Sequence, residues 1–382
     1  MQGKLRRSRK KQDVSVYTLA ADLGLSPGTV SRALRNSPEI GIQTRTIVRK
    51  KAADLGFKLR NFEPRVTNIC FVLETAPKQR SLFSSYVDAI LDGVWRYCNE
   101  QDIELSLFGE ELDRLSKCDL VRVLGRRGVN GAVFLNASKQ SPYFTSLNEQ
   151  NFPYCCVMTG PPEAAAWTIR ADSSGMAERG TRHLIDLGHR RIAFVDTLKA
   201  LDIGFSRREG YLRALKQAGL SPDAAIFFDL NDCASPPSDA FDFASQAVQL
   251  LMNRSHPPTA ILTMSDEEGQ AALHELSVLG IKVPEAVSVM TFDDSRFCEF
   301  CTPPLTVLSL NYEKVGMEAA TIVHRRIENI SNEIPQAPVV VRGDLIVRGS
   351  SGPAAQLKSR PVHRRRLQTT PKNPHGRERL KS

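Results

Sequence analysis

Apolar positions follow one period at the start of the chain and another beyond it. Val16, Leu19, Ala20 and Leu23 fall at i, i+3, i+4 and i+7, which predicts one amphipathic helix ending at a break on Gly24. Ser26-Pro27 then reads as an N-cap followed by a first-turn proline, so a second helix should run from Pro27 to about Arg35. Its inward face would be Val30, Ala33 and Leu34. Pro27, Gly28, Thr29, Ser31, Arg32 and Arg35 would stay outside, able to meet phosphates and base edges. A third helix is predicted on Ile47, Lys51, Ala52 and Leu55, with Gly56 as its terminating residue. Ala20 permits close approach of the first two helices, Gly24 the positive φ of the turn, and Val30 would plug the angle between them. Three such helices make one small core with a helix-turn-helix crossing.

Beyond Val66 short apolar runs alternate with helical patterns, which argues for βαβ units and parallel sheets. Strands are expected over Ile69–Leu73, Glu104–Phe108, Gly131–Leu135, Tyr154–Met158, Arg191–Asp196, Ala260–Met264 and Val287–Phe292. Helices are expected notably over Val87–Glu100, Gly175–Leu187, Arg207–Ala218, Phe243–Asn253 and Glu268–Leu279. This is too much chain for one sheet. Two similar α/β lobes with a ligand cleft at the carboxyl ends of their strands would accommodate it.

Charge divides the 382 residues further. Residues 1–65 hold 15 Lys and Arg against 5 Asp and Glu, residues 353–382 hold 9 against 1, and the segment between holds 27 against 36. An acidic body with a basic helical module suggests that the module meets a polyanion. The proline-containing tail 353–382 and the arm 1–13 read as basic disordered segments. No apolar run is long enough for a membrane span and no apolar segment follows the basic N-terminus, so a cytoplasmic, nucleoid-associated location with reduced cysteines is expected, and no membrane partner.

The run Val14-Ser15-Val16-Tyr17-Thr18-Leu19-Ala20-Ala21-Asp22-Leu23-Gly24-Leu25-Ser26-Pro27-Gly28-Thr29-Val30-Ser31-Arg32-Ala33-Leu34, continued by Ser37-Pro38-Glu39-Ile40 and Leu55-Gly56-Phe57, closely resembles the headpiece of lactose-repressor (LacI/GalR) family transcription regulators. That resemblance implies a second helix in the major groove with Pro27, Gly28 and Arg32 at base-reading positions. Arg32 could pair bidentately with guanine. Ser15, Tyr17, Thr29 and Ser31 match hydroxyl positions that grip phosphate, and Arg35, where the family usually has Asn, would add a phosphate contact. Tyr17 could instead be a half-buried core aromatic. The linker is several residues shorter than the family's and broken by Pro64, so a regular hinge helix is not expected; Leu59 or Phe62 could still wedge into the groove or could equally pack on the core domain.

The body carries the resemblance onward through Gly188-His189-Arg190-Arg191-Ile192-Ala193-Phe194, Arg207-Arg208-Glu209-Gly210-Tyr211, Pro258-Thr259-Ala260-Ile261, Gly280-Ile281-Lys282-Val283-Pro284, Phe292-Asp293-Asp294 and Pro303-Pro304-Leu305-Thr306. It implies a periplasmic-binding-protein-like, two-lobed domain of parallel sheets with flanking helices behind an all-α helix-turn-helix headpiece. Arg207 and Asp293 would be effector-binding, or a cleft salt bridge that never touches ligand, and Tyr86 a contact from the first lobe. Ser265-Asp266 replaces the usual Asn-Asp, and Asp102 a customary Gly.

Rival chemistry finds little support. No phosphate loop, dinucleotide fingerprint, zinc-protease motif or nucleophile elbow is present, and Cys298-x-x-Cys301 lacks a second pair, so neither catalysis, nor a metal, nor a cofactor is expected. Cys155-Cys156 reads as core and His189 as a structural hydrogen-bonder. The domains expected are an arm (1–13), a DNA-binding module (14–60), a linker (61–68), an effector-binding and dimerisation body (69–350) and a tail (353–382). The reading that follows is a homodimeric repressor of a double-stranded operator, controlled by a small polar effector, a sugar or derivative. The alternative is a cytoplasmic solute-binding or sugar-modifying α/β protein with an incidental basic module.

Overall fold

The computed structural model describes residues 15–34, 40–55, 57, 67–75, 85–111, 119–138, 140–197, 202–220, 225–328 and 338–355. The arm, most of the linker with Leu59 and Phe62, Arg35, Gly56 and the tail from residue 356 lie outside these.

The headpiece is three helices: α1 Val16–Leu23, α2 Pro27–Leu34 and α3 Ile42–Asp54. Ser15 caps α1 in a reciprocal box with Thr18, and Gly24 ends it in the left-handed conformation at φ 65°. Ser26 Oγ accepts from the Thr29 N–H at 3.0 Å, the expected cap of α2. Leu19, Ala20, Val30, Ala33 and Leu34 are buried together as the pattern requires. The third helix is phased differently from the expectation. Val48 and Ala52 face the core, whereas Ile47 is 55% exposed and Leu55 also lies out. The helix stops at Asp54, and Phe57 turns back through its N–H to the Ala52 carbonyl at 2.9 Å, packing on the core that Leu55 was expected to fill. An apolar stripe read from Ile47 is therefore one position early.

Among the described residues the body has two six-stranded sheets. The first contains β1 Asn68–Thr75, β2 Glu104–Glu111, β3 Gly131–Leu135, β4 Tyr154–Val157, β5 Thr168–Ala171 and, from far along the chain, β11 Val339–Val341. Their order is β11-β5-β4-β3-β1-β2. The second contains β6 Ile192–Asp196, β7 Ala225–Asp229, β8 Ala260–Thr263, β9 Ser288–Phe292, β10 Thr306–Ser309 and β12 Asp344–Ile346. Their order is β12-β10-β9-β8-β6-β7, parallel except for the antiparallel β10–β12 pair. Residues such as Phe71, Val133, Phe194, Leu262 and Met290 are buried, as parallel strands covered on both faces must be.

The helices are α4 Ser85–Glu100, α5 Leu120–Arg126, α6 Tyr143–Glu149, α7 Ser173–Asp186, α8 Asp202–Gln217, α9 Ala240–Met252, α10 Asp266–Val278 and α11 Tyr312–Ile327. Those predicted from periodicity begin two to five residues earlier than expected, because the chain turns helical directly after each strand-end loop. The described chain passes between lobes three times: after β5 into α7, after β10 into α11, and from β11 to β12. Helix α11 packs back on the first lobe. Gly93 of α4 faces the Glu313 carbonyl and Gly316 of α11 faces the Ile90 carbonyl, so a Cβ at either position would collide with backbone. His189 is buried, bonded to Thr259 Oγ1 (2.9 Å), Ser288 Oγ (3.1 Å) and the Gly352 carbonyl (3.0 Å). It ties the second lobe's strand entrances to the last described segment.

Candidate functional site: recognition helix and interlobe cleft

On α2 the core residues leave Pro27, Gly28 and Arg32 exposed and Thr29 and Ser31 partly so. The Arg32 Nε donates back to the Gly28 carbonyl at 3.3 Å, which holds the guanidinium along the outer face of the helix. Tyr17 is 75% exposed, so it is not the half-buried core aromatic that was its alternative. The Ser15 hydroxyl sits 2.8 Å from Thr18 Oγ1 and that of Thr29 2.8 Å from Ser26 Oγ, so both hydroxyls serve caps in the protein as it stands.

In each lobe the strand order reverses next to the first strand, between β1 and β3 in one sheet and between β6 and β8 in the other. Such reversal opens a crevice at the carboxyl ends of the strands. In the first lobe the loops on either side are joined where Asn136 Nδ2 donates to the Tyr86 hydroxyl at 2.6 Å. In the second, Thr197 donates to Glu268 across the same reversal. Asn136, Met158, Asp293 and Asn311, each just beyond a strand end, have φ between 50° and 70°. Left-handed backbone at four non-glycine residues is the sort of strain that accumulates at binding clefts.

Arg207 lies at the centre of the second lobe's cluster and is 1% exposed. Its Nη1 donates to the Met264 carbonyl and its Nη2 to the Tyr312 hydroxyl at 3.2 Å. Its Nη2 is 3.6 Å from Asp293 Oδ1, and its guanidinium lies 4.0 Å from the Phe292 ring centre. The Tyr312 hydroxyl in turn bonds Asp293. A cavity of about 190 Å³ between the lobes is lined by Ser85 and Tyr86 on one side and by Asp293, Asp294, Asn311 and Tyr312 on the other. Of the three residues expected to bind effector, Tyr86 and Asp293 are on this wall. Arg207 lies behind Asp293 and does not line the cavity.

Burial dominates the titration of this cluster. It pushes Asp293 up to about 6 despite the Arg207 charge, with Asp266 adding to the rise. It also pushes Glu268 up to about 7, opposed by the Thr197 hydroxyl, the Met264 N–H and Arg207. Asp294 is raised by burial against the pull of Arg348, 2.9 Å away. Sequence reasoning missed Tyr312, Glu268 and the bond across the lobes from Ser85 Oγ to Asp266 Oδ1 at 2.8 Å. Glu268 could have been suspected as a carboxylate among small and apolar helix positions. Tyr312 follows a strand the periodicity did not mark. Among the described residues no acid, His or Cys cluster suits a metal ion, and no helix is long and apolar enough to cross a membrane. Cys155 and Cys156 are buried, and the Cys298 thiol is pushed up to about 12 by burial.

Paired parallel sheets joined by three crossings, with the polar cluster at their facing ends, define a binding body of the periplasmic-binding-protein class. A family model described as a periplasmic binding protein-like domain matches residues 181–351. The chain is 28% identical to the HTH-type transcriptional regulator CelR of Thermobifida fusca, over 89% of this chain and 99% of that one. It is 25% identical to the HTH-type transcriptional repressor CytR of Escherichia coli K12, over 90% and 98%. The structure of a transcriptional regulator CelR–cellobiose complex superposes with a TM-score of 0.62 at 27% identity, covering 88% of this chain and all of that one. With the headpiece in front of such a body, the chain is similar over nearly all of its length to HTH-type transcription regulators, in line with its resemblance to the lactose-repressor (LacI/GalR) family.

Proposed function

We propose that the chain is an operator-binding repressor, acting as a homodimer, whose affinity for DNA is set by a small polar effector held between its lobes. The observation that carries this reading is the outward face of α2, where Pro27, Gly28 and Arg32 are presented by a helix whose other side is fully packed. Ser15, Tyr17, Thr29, Ser31 and Arg35 are assigned to the phosphates, which fix register, and Arg32 to a base edge. The units are the headpiece 14–60, the linker 61–68, the body 69–350 and the tail 353–382. In the cleft, Tyr86 and Asp293 meet the effector and Arg207 holds Asp293 and Tyr312 in place.

Exposed apolar side chains support the dimer. Trp95 and Leu107 stand on the first lobe, and Phe241, Phe297 and Phe300 on the second. A second copy would place two recognition helices about one helical turn, roughly 34 Å, apart. Effector closing the lobes would change that spacing, to the extent that it prefers one state over the other. The relatives' printed ligands include cellobiose, which favours a sugar or sugar derivative as the effector class. Selection of bound duplexes from a random pool, repeated with carbohydrates present, tests the reading. A pseudo-palindromic sequence whose retention depends on one of them is the expected result. Absence of any preferred duplex would overturn it.

A further inference from the structure

We propose that Ser85 and Asp266 form a clasp between the lobes, a pair of positioning residues that sets how readily the cleft closes. This rests on the effector reading above and adds to it a contact within the protein that works alongside the effector.

The three passages of the chain between the lobes are bound to one another. The Asp172 N–H donates to the Val341 carbonyl at 2.9 Å, and Arg179 Nη1 donates to the Gly343 carbonyl at 2.9 Å. Asn311 Nδ2 donates to the Arg342 carbonyl at 3.0 Å and to Asp344 Oδ2 at 2.9 Å. Gly343 lies so near the Ser309 carbonyl that a Cβ there would collide with it. Passages tied in this way turn together, so rotation of one lobe on the other is confined to a few backbone torsions at one hinge.

Away from that hinge the lobes are joined where Ser85 Oγ donates to Asp266 Oδ1 at 2.8 Å. Both ends of this bond are held. Ser85 is the first residue of α4, and the hydroxyl of its neighbour Tyr86 accepts from Asn136 Nδ2 just beyond β3. Asp266 is the first residue of α10, whose start is fixed by Ser265 Oγ accepting from the Glu268 N–H at 3.3 Å, and it is 3% exposed. Each is anchored in its own lobe, so parting the lobes breaks the bond. Ser85 lines the effector cavity, whereas Asp266 lies outside its wall. The Ser85 hydroxyl proton is directed at Asp266, which makes this side chain a tie across the cleft rather than a donor to ligand.

A hydrogen bond to a carboxylate is worth about a tenfold change, or more, in the equilibrium it controls. The clasp therefore favours closed over open lobes by about that factor. An effector that closes the lobes pushes the same equilibrium in the same direction, so the two are linked.

The test is single-molecule energy transfer on the full chain, with dyes on unnatural residues at the exposed positions Arg122 in the first lobe and Lys282 in the second, beside urea unfolding to confirm that each variant is folded. Ser85→Ala and Asp266→Ala should each raise the ratio of open to closed molecules about tenfold. The double variant should show no more than either alone, since both changes delete one bond. Ser85→Thr, which keeps a hydroxyl, and Asp266→Asn, which keeps an acceptor, should stay close to the native ratio. Distance distributions like the native one in both alanine variants, or effects that multiply in the double variant, would overturn the inference and leave the effector reading intact. Retention of the selected operator should change in the alanine variants along with the lobe distances. A shift in those distances with operator retention unchanged would leave the clasp standing and overturn the control of DNA binding by lobe closure.

Discussion

Glu268 offers a sharp test of the electrostatics at the centre of the second lobe. It is buried, its carboxylate accepts from the Met264 N–H at 3.0 Å and from the Thr197 hydroxyl, and Asp196 and Arg207 are the charges acting on it. Burial raises its carboxyl from an ordinary 4.5 to about 7. Holding the ionised form in place therefore costs about 3 kcal/mol. Because the folded state binds the proton more tightly than the unfolded chain, the favourable contribution of the neutral acid is complete below about 4.5 and is lost as pH rises through about 7. Glu268→Gln removes the titration while keeping the shape. Its Oε1 can accept the Met264 N–H, and its amide can donate to a Thr197 hydroxyl that has turned round. Whatever the substitution costs in packing is independent of pH. The stability difference between variant and native chain should therefore move in favour of Gln by about 2 to 3 kcal/mol between pH 5 and pH 8. Urea unfolding followed by far-ultraviolet circular dichroism at the two pH values measures it. A difference that stays within about 0.5 kcal/mol across that range would show that Glu268 titrates normally and that the burial argument is wrong.

Other substitutions probe the remaining parts. Arg207→Ala strands the Asp293 carboxylate and should destabilise the body by about 3–5 kcal/mol, read as a lowered urea midpoint; an unchanged midpoint would remove Arg207 from its role as a strut. Arg32→Ala should cost about 1–3 kcal/mol on the selected operator and relax its sequence preference, whereas an equal loss on random duplexes in a fluorescence titration would make Arg32 a phosphate contact only. Gly316→Ala places a methyl group against the Ile90 carbonyl and should cost about 1–3 kcal/mol in the same urea assay by prising α11 from α4. A native-like midpoint there would mean that the two helices separate without resistance.

Much of this architecture is legible in the sequence where one element's pattern settles its own environment. The buried faces of α1 and α2 follow from spacing alone, because each turns one stripe into the same small core. Phase failed at α3, where the core is completed by Phe57 returning from beyond the helix end. In the body the apolar runs marked β1, β2, β3, β4, β6, β8 and β9. Strands β5, β7, β10, β11 and β12, with three to five residues each, were not marked. Length does not separate them from β4 and β8, which have four residues and were marked by continuous apolar runs; β11 and β12 exist only through partners distant in sequence. Helix α11 has no side-chain cap at Asn311, so its start has no local signature. The same limit applies to the cleft. Asp293 and Tyr86 were identifiable by resemblance to family motifs. That Arg207 stands behind Asp293 depends on the Met264 carbonyl and the Tyr312 hydroxyl, which only the folded lobes bring to it.

The interleaving of the lobes also bears on how the chain is made. The first lobe's sheet lacks its β11 edge, and its outer layer lacks α11, until residues 312–341 have left the ribosome. By then β6 to β10 of the second lobe have already emerged. For most of synthesis the early half is consequently an unfinished layer with an open apolar flank, which favours waiting or chaperone capture over independent folding. Cutting the gene at residue 190 would not yield two autonomous units, since the first piece would lack β11 and α11 and the second would lack α7.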